Sequence, residues 1–254
     1  MSLLILFTLF APLIFSFFFA GLETQSRIFS SRTFLFASFG LFAILVSLGI
    51  SNYFMDYLIE LYSFIDIRSL SHNDLPSWLV VISTFLVLDL ANYLIHRFIH
   101  FVPFLWRFHR LHHSDRNVDA LTTVLHHPLE EFINSIFIVG FYVAFDLPII
   151  LIIFYDIALA IHDAFAHASI RIPRGVEKWF GYIFVMPIMH RAHHSIDFNY
   201  GNANYGSIFS IWDRLLGTYK PKEVSKVNPM IFGVDLSKTP KENSFQSFLV
   251  NPLI

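Results

Sequence analysis

The chain contains no cysteine. That excludes disulfide bridges, thiolate metal sites and a cysteine nucleophile, without fixing a redox compartment. Charge is scarce too: Asp, Glu, Lys and Arg are 14% of 254 residues, against about a quarter in ordinary soluble domains. With a formal net charge of -2 there is no basic excess of the kind that binds nucleic acid, so no nucleic-acid partner is expected. Three motifs are also missing. Without HExxH there is no zinc-protease helix, without paired Glu-x-x-His no soluble carboxylate di-metal bundle, and without G-x-G-x-x-G no evident flavin or dinucleotide domain.

What the chain has in excess is apolar surface. Hydrophobic residues make up 55% of it, including 31 phenylalanines, which points to a membrane protein. Residues 3–22, LLILFTLFAPLIFSFFFAGL, can cross a hydrocarbon core of roughly 30 Å. They lack a basic leader and a small-residue cleavage site and are read as a retained helix rather than a signal peptide. Residues 33–50 form a second span, and residues 51–76, with Asp56, Glu60, Asp66, Arg68 and Asp74, read as a loop with an amphipathic piece at the interface. Residues 77–95 form a third span, and Pro103 ends the helix that follows from it. The apolar runs 132–147 and 149–161, divided by Asp146-Leu147-Pro148, are each short for a full crossing and read as a helical hairpin.

This pattern predicts an all-α integral membrane bundle with a helical cap on one face. Its expected parts are N-terminal membrane helices and interfacial loop over 1–75, a catalytic region over 76–220 and a C-terminal tail over 221–254. Placing the loop with Arg27 and Arg32 in the cytoplasm leaves Arg68 the sole Lys or Arg on the other side. Every histidine cluster then faces the cytoplasm, as suits a bacterial inner membrane or endoplasmic reticulum.

Histidine is the second excess. Residues 93–130 hold seven of thirteen: His96, His100, His109, His112, His113, His126 and His127. His162, His167, His190, His193 and His194 follow, leaving only His72, read as an ordinary surface residue. On a helix, residues three and four apart share a face, so His96 and His100 can present two imidazoles to one point. The HRxHH groups His109, His112, His113 and His190, His193, His194 are expected to do the same with three each. Unpaired imidazoles on apolar-flanked helices cost a few kcal/mol each unless bonded, and a metal centre removes that cost. The count suits two metal ions held mainly by neutral imidazole. Asp89, two turns before His96, is a possible acceptor for the far ring nitrogen of that histidine, or else a helix-packing group. Tyr93 lies one turn before His96, and Glu130 is either an acceptor behind a ligand or a helix-start charge. Asn204 reads as a polar partner for a histidine or a substrate head group, while Tyr205 and Trp212 read equally well as packing and Asp213 as an arginine partner.

The run His96-Arg97-Phe98-Ile99-His100, then LWRFHRLHHS, His127-Pro128-Leu129-Glu130, HRAHHS, and Asn204-Tyr205-Gly206 with WDRLLGTY resembles the sterol desaturase and fatty acid hydroxylase superfamily. The resemblance covers roughly residues 85–220. It implies a non-haem centre of two irons that uses dioxygen and two external electrons to hydroxylate or desaturate a lipid C–H site. The implied ligands are His96 and His100, then His109, His112 and His113, then His190, His193 and His194, with His127, His162 and His167 as further ligands; His126 has no clear counterpart. A separate electron-transfer protein, a lipid substrate and membrane lipids are the implied partners. A dinuclear zinc lipid hydrolase and a non-enzymatic membrane metal-binding protein are the alternatives from other classes.

Overall fold

The computed structural model describes residues 30–63, 75–221, 230–234 and 248–249. The expected span over 3–22, His72 and most of the tail lie outside these. The described residues are helical, with two isolated antiparallel bridges, Phe184 with Phe209 and Ser195 with Phe232, and no strand. This is the all-α bundle that the hydropathy predicts.

Helix α1 spans Ser31–Ser63. Its start is fixed by Ser30, whose Oγ accepts the Thr33 amide at 3.2 Å and satisfies one of the free donors of the first turn. It runs well past residue 50, through part of the expected loop. No proline interrupts that stretch, and scattered acidic residues do not by themselves stop a helix. Helix α2, Ser77–Phe101, begins after Pro76 and stops at Val102, because Pro103 has no N–H to continue it. Helix α3, Pro103–His109, starts at that proline. Two 3-10 turns follow, His112–Ser114 and Ala120–Val124.

Helices α4, Pro128–Phe145, and α5, Ile149–His167, are joined by a turn with Asp146 in the left-handed region at φ 47°, but α4 packs on α1 and α2 and α5 on α2 and the second 3-10 turn, so they do not pair with each other as the expected hairpin would. Helix α5 continues six residues beyond the expected end, which makes it long enough to cross a bilayer. Together with Ser31–Ile50 and Ser77–Phe101 it gives three described helices of sufficient length and hydropathy. The rest is four short helices: α6 (Arg174–Phe180), α7 (Pro187–His193), α8 (Phe198–Gly201) and α9 (Ile211–Leu215).

The two larger apolar cores of the described residues join separate elements. In one, Phe36 and Phe39 of α1 pack with Leu111, Leu121, Leu125 and Phe248. Helix α1 comes so close to the second 3-10 turn that a Cβ on Gly40 would lie 2.7 Å from the Val124 carbonyl oxygen, so this position requires glycine. In the other, Leu88 of α2, Ile152 and Tyr155 of α5, and Ile208 pack together, with Phe184 and Phe209 against them.

A candidate metal centre of nine histidines

Nine histidines converge where the ends of α2, α3, α5 and α7 meet the first 3-10 turn. They sort into two groups, within each of which one nitrogen per ring lies within 4.8 Å of the others: His96, His100, His109, His113 and His193, and then His112, His167, His190 and His194. The HRxHH groups do not each stay together, as the sequence reading expects. Residues four apart share a group (His96 with His100, His109 with His113, His190 with His194), while the residue three along, His112 or His193, enters the other. Adjacent residues on a helix point about 100° apart, so one short segment faces both groups at once.

Hydrogen bonds on the far nitrogens fix the tautomers. A carbonyl oxygen can only accept, so each Nδ1 that bonds one carries the proton. His96 Nδ1 donates to the Tyr205 carbonyl at 2.9 Å and His193 Nδ1 to that of Ala203 at 2.8 Å. His112 Nδ1 donates to the Thr122 carbonyl at 3.1 Å, and His167 Nδ1 to that of Asp163 at 2.8 Å. His109 Nδ1 bonds the Glu130 carboxylate at 2.6 Å. Five Nε2 atoms are thereby left as bare lone pairs, turned inward.

These lone pairs face one another. His96 Nε2 lies 3.2 Å from that of His109 and 3.1 Å from that of His193. In the second group His167 Nε2 lies 3.1, 3.0 and 2.9 Å from those of His112, His194 and His190. One ring nitrogen cannot satisfy three others by hydrogen bonds, whereas a cation among them can. At a metal–nitrogen distance of about 2.1 Å, ligands at right angles would be about 3.0 Å apart and tetrahedral ones about 3.4 Å apart. The observed separations fit the first arrangement, so the residues present suit a metal ion in each group. Nε2 of His100 and of His113 is buried without a hydrogen-bond partner, as a position intended for a metal would be.

Electrostatics agree with neutral ligands. Burial, reinforced by neighbouring imidazoles, holds the pKa of His112, His113, His190 and His194 well below the ordinary value, and burial lowers His193 to about 3. His126 differs. Burial opposes its charge, but the Glu130 carboxylate, 3.0 Å from its Nδ1, outweighs that and raises it to about 9. Its ring stacks on His112 at 4.2 Å. Glu130 is buried, bonds both His109 and His126, and is held below the usual carboxylate range by those two partners, against the effect of burial.

Two expected ligands stand outside both groups. His127 accepts the Leu129 amide at Nδ1, 3.1 Å away, and its ring also bonds the backbone of Leu249. His162 Nε2 donates to the Val185 carbonyl at 3.0 Å, since the i, i+5 spacing turns it away from His167. Four of the polar residues named above also find other partners. Asp89 accepts Tyr155 Oη, the amides of Ile208 and Phe209 and Trp212 Nε1, all at 2.8–3.0 Å, so it fastens the 208–212 segment to α2 rather than bonding His96. Tyr93 Oη bonds Thr218 Oγ1 at 2.8 Å. Asn204, at φ 61°, grips the Lys220 backbone through both amide atoms. Asp213 accepts the amides of Tyr205 and Gly206 at 2.8 Å instead of pairing with an arginine.

The carbonyls of Thr122, Asp163, Ala203 and Tyr205 have no sequence signature, because a backbone acceptor has no residue identity. A further ion-pair network also went unseen: Arg32 on α1 bonds Asp115 and Asp119, the latter at 2.9 Å, and packs on the Phe36 ring. A partner 83 residues away in sequence leaves no local signature.

A sequence model of the family described as "Fatty acid hydroxylase" matches residues 81–218. The chain is similar to ornithine lipid hydroxylase OlsE of Rhizobium tropici, 31% identical over 57% of this chain and 43% of that one. It is 30% identical to alkylglycerol monooxygenase of Xenopus tropicalis, over 66% of this chain and 34% of that one. With human lathosterol oxidase the identity is 25%, over 62% and 51%. The chain thus spans about a third to a half of the length of these relatives. No solved structure matches it significantly.

Proposed function

Because the chain belongs to the fatty acid hydroxylase family, we propose that it is a membrane-bound oxygenase in which two non-haem irons, dioxygen and electrons from a separate donor protein hydroxylate or desaturate a lipid. The observation that carries this reading is the set of inward-facing Nε2 lone pairs, each opposite a bonded Nδ1–H. The named substrates of the relatives, an ornithine lipid, alkylglycerol and lathosterol, support a lipid as the substrate class.

We assign His96, His100, His109, His113 and His193 to one iron, and His112, His167, His190 and His194 to the other. His127 and His162 have no place in this assignment. Iron in these groups supplies dioxygen binding and the oxidising power needed at an unactivated C–H bond. The protein's own part is positioning. The four carbonyls and Glu130 hold five rings in one tautomer and orientation, as outer partners of metal-bound imidazole do. Trp106 lies 4.7 Å from the His100 ring and 5.2 Å from that of His113, and sets an apolar ring against both. Hydroxylation by this route consumes two electrons and two protons per dioxygen, with water as the second product, so an external reductant is required.

A contact supports the orientation. Arg32 bonds Asp115 and Asp119, which lie in the loop that follows His113, so the start of α1 is at the histidine end of the bundle. Under the positive-inside tendency we assign that end to the cytoplasm.

The test is metal content of gently purified protein from iron-supplemented cells, paired with oxygen uptake after reduction. Two irons per chain and reductant-dependent uptake are expected. Two tightly held zincs with no response to iron would sink the oxygenase reading and favour a hydrolase.

A further inference from the structure

We infer that the lobe built from residues 179–184 and 208–216 is seated in the lipid interface of the bilayer, with Trp179, Phe180, Tyr182, Ile183, Leu215 and Leu216 against lipid. This rests on the reading of α2 and α5 as membrane spans.

The lobe is bonded across its two strips and fastened to α2. Its two strips are tied by Val185 N to Ile208 O, Ser210 N to Ile183 O and Ser210 Oγ to Gly181 O, at 2.7–2.8 Å. Asp89 then pins it to α2 through the amides of Ile208 and Phe209 and the Trp212 indole. Asp89 is the central residue of α2, about 18 Å along the helix from either end. A lobe fastened there cannot stand clear of the membrane that α2 crosses. Its inner face agrees: Phe184 and Phe209, 5.6 Å apart, pack on the core formed by Leu88, Ile152 and Tyr155 of the two spans.

The outer face is apolar and uncovered by the described residues. Trp179 is 72% exposed, Phe180 56% and Leu215 74%. A patch of that kind on a soluble surface marks an interaction site. Here it adjoins helices whose own outward residues, Val81 and Ile82 on α2 and Ile150 and Phe154 on α5, are exposed in the same way. The rim suits a headgroup layer. Arg171, Arg174 and Lys178 are exposed on the segment that leads into Trp179 and Tyr182, the combination that anchors proteins at the membrane–water boundary. The cation within the patch, Arg214, is turned inward, donating through Nη2 to the Gly181 carbonyl at 2.7 Å and stacked on Tyr219 at 3.6 Å. The seating has a consequence for the metal centre. The segment that continues the lobe supplies the Tyr205 carbonyl to His96, so the depth of the lobe sets the depth at which a lipid chain meets the site.

The cysteine-free chain makes the test direct. Single cysteines replace Ile183 and Leu215 in the lobe, Ile82 and Ile153 on the spans, and Arg116 on the exposed loop after His113. Each full-length variant is labelled with bimane and reconstituted in phosphatidylcholine–phosphatidylglycerol vesicles with and without brominated acyl chains. The lobe positions are expected to be quenched at least about threefold more than position 116, as lipid contact requires. Strong quenching at 82 and 153 with lobe positions behaving like 116 would overturn the seating while keeping the spans. Lobe positions that resist an impermeant maleimide yet are not quenched would mean a protein cover, a second copy or residues 1–29, and would overturn it too. Absence of quenching at all four positions would overturn the span reading together with the proposal.

Discussion

The carbonyl oxygen of Thr122 accepts the Nδ1–H of His112 at 3.1 Å, and the same residue's hydroxyl donates to Asp115 at 2.7 Å. Asp115 and Asp119 are in turn held by Arg32, so a chain of bonds links the start of α1 to His112 in the second histidine group. Replacing Arg32 with Met should leave two buried carboxylates unpaired and cost about 3 kcal/mol of stability. Metal titration should show the second group weakened more than the first. Equal weakening of both groups would mean that Arg32 acts on the fold alone.

The partition into two groups predicts stoichiometry. His113→Ala should lower bound metal from about two ions to about one, and His194→Ala should do the same by emptying the other site, since each removes one imidazole of a set. Variants His127→Ala and His162→Ala should retain both ions. Loss of all metal from every one of the four would contradict the assignment.

Glu130 bonds His109 and His126 through one oxygen, while its Oε2 is buried without a partner. Glu130→Gln keeps the shape and removes the charge behind His109. Metal affinity or activity should fall about 10–100-fold, the usual effect of losing such an outer carboxylate. Dissociation rates measured with a chelator would detect it, and an unchanged rate would argue against this role.

Asp89 accepts four donors inside the bundle. Asp89→Asn would set an amide N–H₂ against them and should cost about 2–3 kcal/mol. Because its contacts lie in the 208–212 segment, the variant should lose thermal stability in detergent before it loses metal. Selective metal loss at unchanged stability would point instead to the expected bond between Asp89 and His96.

A pH dependence follows from the buried imidazoles. In metal-free protein, His113, His190 and His194 resist protonation far below 6.5, and His193 does so to about 3, whereas the unfolded chain binds these protons near 6.5. The folded pKa is depressed, so stability is full above the unfolded value and falls as pH drops below it toward the folded ones. Each such histidine contributes a slope of about 1.4 kcal/mol per pH unit in that window. Denaturant midpoints of chelator-treated protein at pH 7.5 and 5.5 would check this, and a flat profile would contradict the burial.

Much of this was legible in the chain itself. Helices α2 and α5 follow from apolar runs bounded by Pro76 and Pro103, and by Pro148. Helix α1 overran its expected end because charge alone does not stop a helix that lacks proline. Asp89 shows the opposite limit: its position in a span announces a buried function, but its partners are the amides of residues 119 and 120 positions away and the Trp212 indole.

The sequence by itself determined the apolar spans and the i, i+4 histidine pairs, because both depend on the pitch of a single helix. Only the tertiary structure decided that His112 and His193 cross to the other group, that His127 and His162 stay outside, and that four backbone carbonyls face the imidazoles. Pitch sets an angle about one axis. Which imidazole meets which across a hundred residues depends on how separate helices pack, and a carbonyl is the same atom in every residue that carries it.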